Sequence, residues 1–428
     1  MNIQGRERID ALCDAYPTIP RSIVIKADVL RAGTRHTKDL EEAGASSFPH
    51  SLIWNPAHRW NPQEGPEEGQ LITIPWKFDL PDGTPVVVRL SGTSPYEIRR
   101  ANGSYHLRRD GEVIEEVSFE HATNWLFKTT SGGTLMTSVF LSWTREALLG
   151  CALRYCEYTK TGDQCVYCCL DASLKEYKKH GIEYDLAVKP ENAAETYRAA
   201  YEEVGRIRNV SFTGGSLLNT TKESERYIAL FSALSRVREE LKAETEFGGC
   251  LTAPPNIDIL RRLKDAGLQY IGPNMDCWED ELWPTIVPGK HKFVGRQFWI
   301  DSLMSCLEVF GRGQVFSVFV IGPELVPDRG FKNSQEGVNS WRSCFEWLLS
   351  HEIVPTTSQW QVEVGSPWEA REPPPTEYFL DVALTRHQLL ESYKAYDYMR
   401  HSYFKAYAWS TDADFRRLVF GCQCKDCQ

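Results

Sequence analysis

Residues 154–170 read RYCEYTKTGDQCVYCCL, and the fold turns on how this stretch is read. Cys156, Cys165 and Cys168 are spaced C-x8-C-x2-C, with Cys169 directly behind them. Thiolates are soft ligands suited to zinc or to iron–sulfur clusters. A structural zinc site wants four protein ligands, and here the fourth would come from Cys169, Cys151 or a distant histidine. Three thiolates on one loop instead leave one iron of a [4Fe–4S] cluster without a protein ligand, open to a substrate or cofactor. The spacing by itself leaves both chemistries open.

Around this loop the sequence alternates between strand and helix patterns. A short apolar segment, residues 152–154, leads into the cysteines. A helix opens at Pro190, a good first-turn residue, with Ala194, Tyr197, Tyr201 and Val204 on its apolar face. Residues 210–213 form a short strand ending in Gly214-Gly215, and Ile228, Phe231, Leu234, Val237 and Leu241 recur at helical spacing. The pattern repeats with strands near residues 245–247, 270–271 and 315–321. Between and after them lie helices carrying Ile257, Leu260 and Leu263, then Leu303, Leu307 and Phe310, then Val338, Trp341, Phe345 and Leu348. A last strand is expected in residues 360–364 and a long closing helix from about residue 378 to residue 407. Six βα units across residues 146–408 predict an α/β fold whose parallel sheet curves into a full or partial (β/α) barrel. Chemistry in such folds gathers at the C-terminal ends of strands, and the cysteine loop falls just after the first.

Residues 1–145 read as a separate, mainly β module. The first seventy residues carry Asn55, Pro56, Asn61, Pro62, Gly65 and Pro66 and are expected to be irregular. A β-meander follows, with strands at residues 71–74 and 86–90 around the turn Pro81-Asp82-Gly83. Residues 96–100 and 105–109 flank Asn102-Gly103, a strong hairpin signal, and Asp110-Gly111 turns into residues 113–119. At the other end, residues 409–428 form a Cys-rich tail. Cys422, Cys424 and Cys427 there read either as an auxiliary iron–sulfur site or as unligated thiols.

The chain has 428 residues, a formal charge of −10, 42% apolar and 25% charged residues, the composition of a protein that buries a real core. Acidity without a basic tract disfavours a nucleic-acid or anionic-membrane partner. The opening MNIQGRERIDALC lacks the apolar core of a signal peptide, and residues 315–321, the most apolar stretch, are far too few to span a bilayer. A cytoplasmic location is expected. There, 13 cysteines are better metal ligands or reactive thiols than disulfide partners.

Thr213-Gly214-Gly215-Ser216 closes the second strand of the alternating region. Its two glycines let a small ligand approach the backbone, or simply make a tight turn. The cysteine loop, Tyr167 before the last loop cysteine, this turn and the order of elements over about residues 146–400 together resemble the radical S-adenosylmethionine superfamily. Asn274-Met275-Asp276, the run SVFVIGPE at residues 317–324, Ile353-Val354-Pro355 and Gly365-Ser366-Pro367 resemble its biotin-synthase-like branch, and each also reads as plain sheet backbone. Two features depart from the pattern: the first cysteine gap is eight instead of the common three, and Ser216 stands where a glutamate-like residue often sits.

The resemblance implies that Cys156, Cys165 and Cys168 hold a [4Fe–4S] cluster whose open iron chelates S-adenosylmethionine. Thr213, Gly214, Gly215, Ser216 and Tyr167 would line the cofactor's methionine end, with Asn274, Asp276 and Glu324 as further pocket residues. Cys169 would be a spare thiol near the cofactor or a small packed residue. The implied reaction is reductive cleavage of S-adenosylmethionine, giving a 5′-deoxyadenosyl radical that acts on a small-molecule substrate. An electron donor such as flavodoxin or ferredoxin, and possession of a second cluster on the tail cysteines, belong to the same expectation. The alternatives are transfer of a 3-amino-3-carboxypropyl or methyl group, and a zinc-stabilised binding protein that is not an enzyme.

Overall fold

The computed structural model describes residues 5–47, 74–144, 146–179, 184–326, 328–399 and 408–420. The expected strand at residues 71–74 lies mostly outside them, and Cys422, Cys424 and Cys427 lie wholly outside.

Where the sequence reading expects irregular chain, three helices form, Gly5–Ala15, Arg21–Ala32 and Lys38–Ser47. The middle one escapes a periodicity search because it is buried on every side: residues 23 to 30 are all inside, Lys26 and Asp28 included. Lys26 pairs with Asp414 at 3.1 Å, and Asp28 accepts from Tyr96 at 2.6 Å and from Thr376 at 2.5 Å. Beside these helices lie β1 (Lys77–Asp79) and β2 (Pro85–Val87), paired antiparallel, and a meander of β3 (Tyr96–Ala101), β4 (Ser104–Arg109) and β5 (Glu112–Val117). The hairpin turns are as expected. Asn102-Gly103 and Asp110-Gly111 all take positive φ, as the two-residue turn that suits strand twist requires.

The main sheet begins with β6 (Phe140–Thr144), antiparallel to β7 (Ala147–Leu153). β8 (Asn209–Gly214), β9 (Glu246–Leu251) and β10 (Tyr270–Pro273) follow in parallel, each beside its predecessor. Bridges at Ile271–Val315 and Asp276–Phe319 carry the array on to β11 (Phe316–Ile321), which pairs in parallel with β12 (Val354–Gln359). Six parallel strands thus stand in sequence order, and no pairing between β12 and β6 or β7 closes a barrel among the described residues.

Helices cover the outer face. Phe212 meets Phe231 of the helix Thr220–Leu241 at 5.9 Å, and Phe319 meets Trp341 of the helix Ser334–Ser350 at 5.5 Å. The opening between the sheet's two ends is filled from elsewhere in the chain. Trp409 accepts at its carbonyl from the backbone of Gln359 at 2.9 Å and stacks on Trp76. Its ring also meets Trp143 of β6 edge-on at 6.5 Å.

Two elements differ from expectation. The last strand lies at Val354–Gln359 rather than residues 360–364. Two of its polar residues are engaged by the fold: Thr357 donates to Asp412 at 2.8 Å, and Gln359 donates to Ala27 at 3.0 Å. Pro355 is tolerated because the neighbouring Val354 N–H is the one that bonds toward β11, so the missing donor falls on the open edge. The closing helix ends at Ser392, and Lys394 in the left-handed region prevents its continuation. No described helix is long and apolar enough to cross a membrane.

Candidate functional site

The inner face of the parallel sheet is incompletely covered toward its C-terminal end, which leaves a chamber there. Register fixes which residues share that face: Cys250 pairs with Gly272, Val318 with Thr356 and Val320 with Ser358. A Cβ on Gly272 would run into the ring of Phe316, and one on Gly248 into the ring of Tyr270. These two aromatic rings therefore lie across the glycines as a floor. Above them Thr213, Cys250, Val318, Val320 and Ser358 are only partly buried, although a parallel sheet covered on both faces would bury them fully.

The cysteine loop stands at the mouth of this chamber. Cys156 follows β7 and caps the short helix Glu157–Lys160. Cys168 turns back to donate its N–H to the carbonyl of Cys165 at 3.0 Å. Loops from other strands clamp this one. Glu157 donates its N–H to Ser216 at 2.8 Å, Val166 donates to Ile286 at 3.1 Å, and Trp368 donates to the carbonyl of Val166 at 3.1 Å.

The three thiols influence one another. Burial pushes the Cys165 thiol up to about 12, with Asp276 and Cys156 adding to the shift and Lys290 opposing it. Burial raises Cys168 further, with Cys169, Cys165 and Cys156 contributing. No described group of three or more His, Cys, Asp or Glu side chains could hold a single metal ion. A cubane makes a different demand, because its thiolates bind separate irons and need not converge on one point.

Two tyrosine hydroxyls near the loop, of Tyr158 and Tyr167, are buried without a hydrogen-bond partner of good geometry. Tyr167 sits beside Asp276 and Cys165, and Tyr158 beside Glu223, Cys156 and Cys165. An unmet buried hydroxyl costs about 1–3 kcal/mol, and a ligand seated at the loop would complete the bonding of these two, which otherwise have Asp276 and Ser216 at hand. Soft thiols on one loop, with unmet donors around them, fit a thiolate-ligated cluster and a polar cofactor.

The other expected residues are placed as follows. Thr213 lines the chamber beside Cys250, and Ser216 accepts from Thr252 at 2.8 Å through its hydroxyl. Gly214 and Gly215 sit tight against the neighbouring loop. A Cβ on Gly215 would overlap the carbonyl of Tyr155, and one on Gly214 would crowd Leu153. The glycines are thus demanded by loop-on-loop packing, and neither has positive φ. Asn274 accepts from the Val318 N–H at 3.1 Å. Asp276 takes a left-handed φ of 64°, a strained setting for a residue with a side chain, and pairs with Lys290. Glu324 faces inward to the fold, accepting from Gly322 at 2.9 Å, Trp341 at 2.7 Å and Tyr378 at 2.5 Å. Cys169 is buried and accepts from the Ser173 hydroxyl at its carbonyl at 3.0 Å, while Cys156 and Cys168 pack against the small cluster of Cys151, Leu170 and Tyr177.

Sequence reasoning missed Lys290, Glu223 and Cys250. Lys290 is buried, donates to Asn274 at 2.5 Å and lies 4.7 Å over the ring of Trp299. Glu223 joins the turn after β8 to the end of β9, accepting from Leu217 at 2.8 Å and from Thr252 at 2.7 Å. Only Cys250 carried a usable signal, its place three residues beyond a strand expected near residues 245–247.

The sequence matches no protein-family model and no curated protein. Among solved structures, the chain is similar to the cobalamin-dependent S-adenosylmethionine radical enzyme OxsB with aqua-cobalamin bound. The identity is 15% and the TM-score 0.33, covering 73% of this chain and 40% of that one. It is also similar to a putative lyase/mutase from Burkholderia cenocepacia, at 13% identity and TM-score 0.23, covering 59% of this chain and 79% of that one. The chain thus spans well under half the length of the first of these structures. Likeness this slight carries no weight for activity.

Proposed function

We propose that the chain is a radical S-adenosylmethionine enzyme acting on a small molecule in the chamber, its six parallel strands serving as a partial barrel. The observation that carries this reading is the set Cys156, Cys165 and Cys168, mutually interacting on one loop at the C-terminal mouth of the sheet, with the unmet hydroxyls of Tyr158 and Tyr167 beside them. When bound, a [4Fe–4S] cluster and S-adenosylmethionine supply one electron and the homolytic cleavage of a carbon–sulfur bond.

The chain's own residues hold and shield. The three cysteines give soft ligands and leave one coordination position free. Thr213 and the ammonium of Lys290, the latter shared with Asp276, offer polar partners at the chamber wall. The loop through Trp368, tied to Val166, roofs the cysteine loop and excludes water. Within that superfamily, the biotin-synthase-like branch rests on the sequence likeness of residues 274–276, 317–324, 353–355 and 365–367.

Anaerobic reconstitution with iron and sulfide tests the reading. The expected result is a brown protein that converts S-adenosylmethionine to 5′-deoxyadenosine with a strong one-electron reductant. Formation of 5′-methylthioadenosine instead points to transfer of a 3-amino-3-carboxypropyl group. A colourless protein holding zinc and no iron contradicts the reading.

A further inference from the structure

Cys250 is the thiol that faces the chamber. It is the penultimate residue of β9, on the inner face, next to Gly272 in register, with the floor ring of Phe316 beneath. It is partly exposed and lies near Asn274, Asp276 and Lys290. The same Asp276 and Lys290 face Cys165, so Cys250 stands on the cysteine-loop side of the chamber. Among the described cysteines beyond the loop triad, Cys306 and Cys344 are buried on the helices Arg296–Phe310 and Ser334–Ser350, and Cys277 and Cys169 are buried too; Cys151 pairs with Thr213 on the same face but is covered by Leu170 and Tyr177.

A second feature marks this face for a ligand. Thr356 shares the face with Val318 by register, and it is 9% exposed with its hydroxyl unpartnered. Trp360 continues the alternation Thr356, Ser358, Trp360, and its indole N–H is likewise buried without a partner. Close packing does not leave two such groups on one wall without cost, and a bound molecule with an acceptor oxygen would meet them.

We propose that Cys250 is the hydrogen-atom donor of the chamber, quenching a carbon radical formed on the bound molecule; this rests on the radical reading above. The sulfur–hydrogen bond breaks homolytically and a carbon–hydrogen bond forms, a downhill exchange because S–H is the weaker bond. The sulfur radical left behind takes one electron and one solvent proton. The electron comes from a low-potential one-electron reductant of the kind that charges an iron–sulfur cluster. The reaction class this implies is hydrogen replacement at carbon, an epimerisation or a net reduction, on a substrate carrying an acceptor oxygen for Thr356 and Trp360.

The test uses S-adenosylmethionine alone, without substrate, in D2O buffer free of added thiol. The carbon radical released in the chamber then has the exchanged Cys250 S–D as its donor. Wild-type protein is expected to yield 5′-deoxyadenosine carrying one deuterium, and Cys250→Ala and Cys250→Ser to lose that deuterium while retaining cluster iron. A second readout needs no turnover. In the folded iron-free chain, iodoacetamide is expected to label Cys250 well before Cys306 and Cys344. Unlabelled 5′-deoxyadenosine from the wild type, equal deuterium in the variants, loss of iron in Cys250→Ala, or labelling of Cys250 as slow as that of Cys306 each overturn the assignment. Absence of 5′-deoxyadenosine altogether overturns the radical reading with it.

Discussion

Gly215 lies so close to Tyr155 that a side chain on it would overlap the Tyr155 carbonyl and crowd the Cys156 N–H. The turn after β8 and the loop that carries the cysteines are therefore one packed unit. Gly215→Ala is expected to lower stability by on the order of 2 kcal/mol, the cost of overpacking against backbone. It should also lower reconstituted iron, because Cys156 is the atom group displaced. Normal iron and an unchanged unfolding midpoint would show that the two loops are not coupled.

The loop cysteines are expected to act as a set. Replacing Cys156, Cys165 or Cys168 by Ala should each remove most of the iron, since two thiolates rarely retain a cubane. Cys169→Ala should keep it, because Cys169 is a buried residue that meets the Ser173 hydroxyl at its carbonyl and its sulfur. Iron analysis of the four variants decides this, and loss in Cys169→Ala with retention in Cys168→Ala would reassign the ligands.

Glu324 gives a pH signature remote from the loop. Burial raises its pKa against the donors Tyr378, Trp341 and Gly322, so the folded chain keeps this proton to a higher pH than the unfolded chain does. An unfolded glutamic acid ionises near 4.5. Between that value and the raised one the folded state binds the extra proton, so stability falls as pH rises through this window and levels off above it. Glu324→Gln cannot ionise. Its deficit relative to wild type should be largest near pH 5 and shrink toward pH 8, read from paired urea titrations. A deficit that grows with pH would mean that the carboxylate is the bonded form.

Lys26 and Asp414 are buried together, linking an N-terminal helix to the segment near residue 414. Lys26→Ala leaves the buried Asp414 carboxylate to Arg417, 3.1 Å away, and is expected to cost on the order of 3 kcal/mol, the low end for breaking a buried pair. Unfolding of the whole chain, rather than of the first hundred residues alone, should shift. A variant as stable as wild type would show that residues 1–145 are not integral to the sheet's open edge.

The alternating region was legible because its outer-face residues, such as Phe212, Phe231, Phe319 and Trp341, make strong strand and helix patterns. β12 was not, because Thr356, Thr357, Ser358 and Gln359 form a polar strand, in which Thr357 and Gln359 answer to partners more than fifty residues away. The helix Arg21–Ala32 was hidden by burial on all sides. At the site, cysteine spacing and the glycine turn could be read, but not the reason for the glycines, which depends on Tyr155 across a loop contact. The chamber was invisible to periodicity. It exists because Tyr270 and Phe316 lie over Gly248 and Gly272, a relation between neighbouring strands that no single segment encodes.

The most direct measurement of the central claim is Mössbauer spectroscopy of ⁵⁷Fe-reconstituted protein with and without S-adenosylmethionine. A [4Fe–4S] cluster held by Cys156, Cys165 and Cys168 predicts that one iron of the four changes its parameters when the cofactor is added, while three stay as they were. Four irons that all remain unchanged, or a protein that takes up zinc and holds no iron, would contradict it.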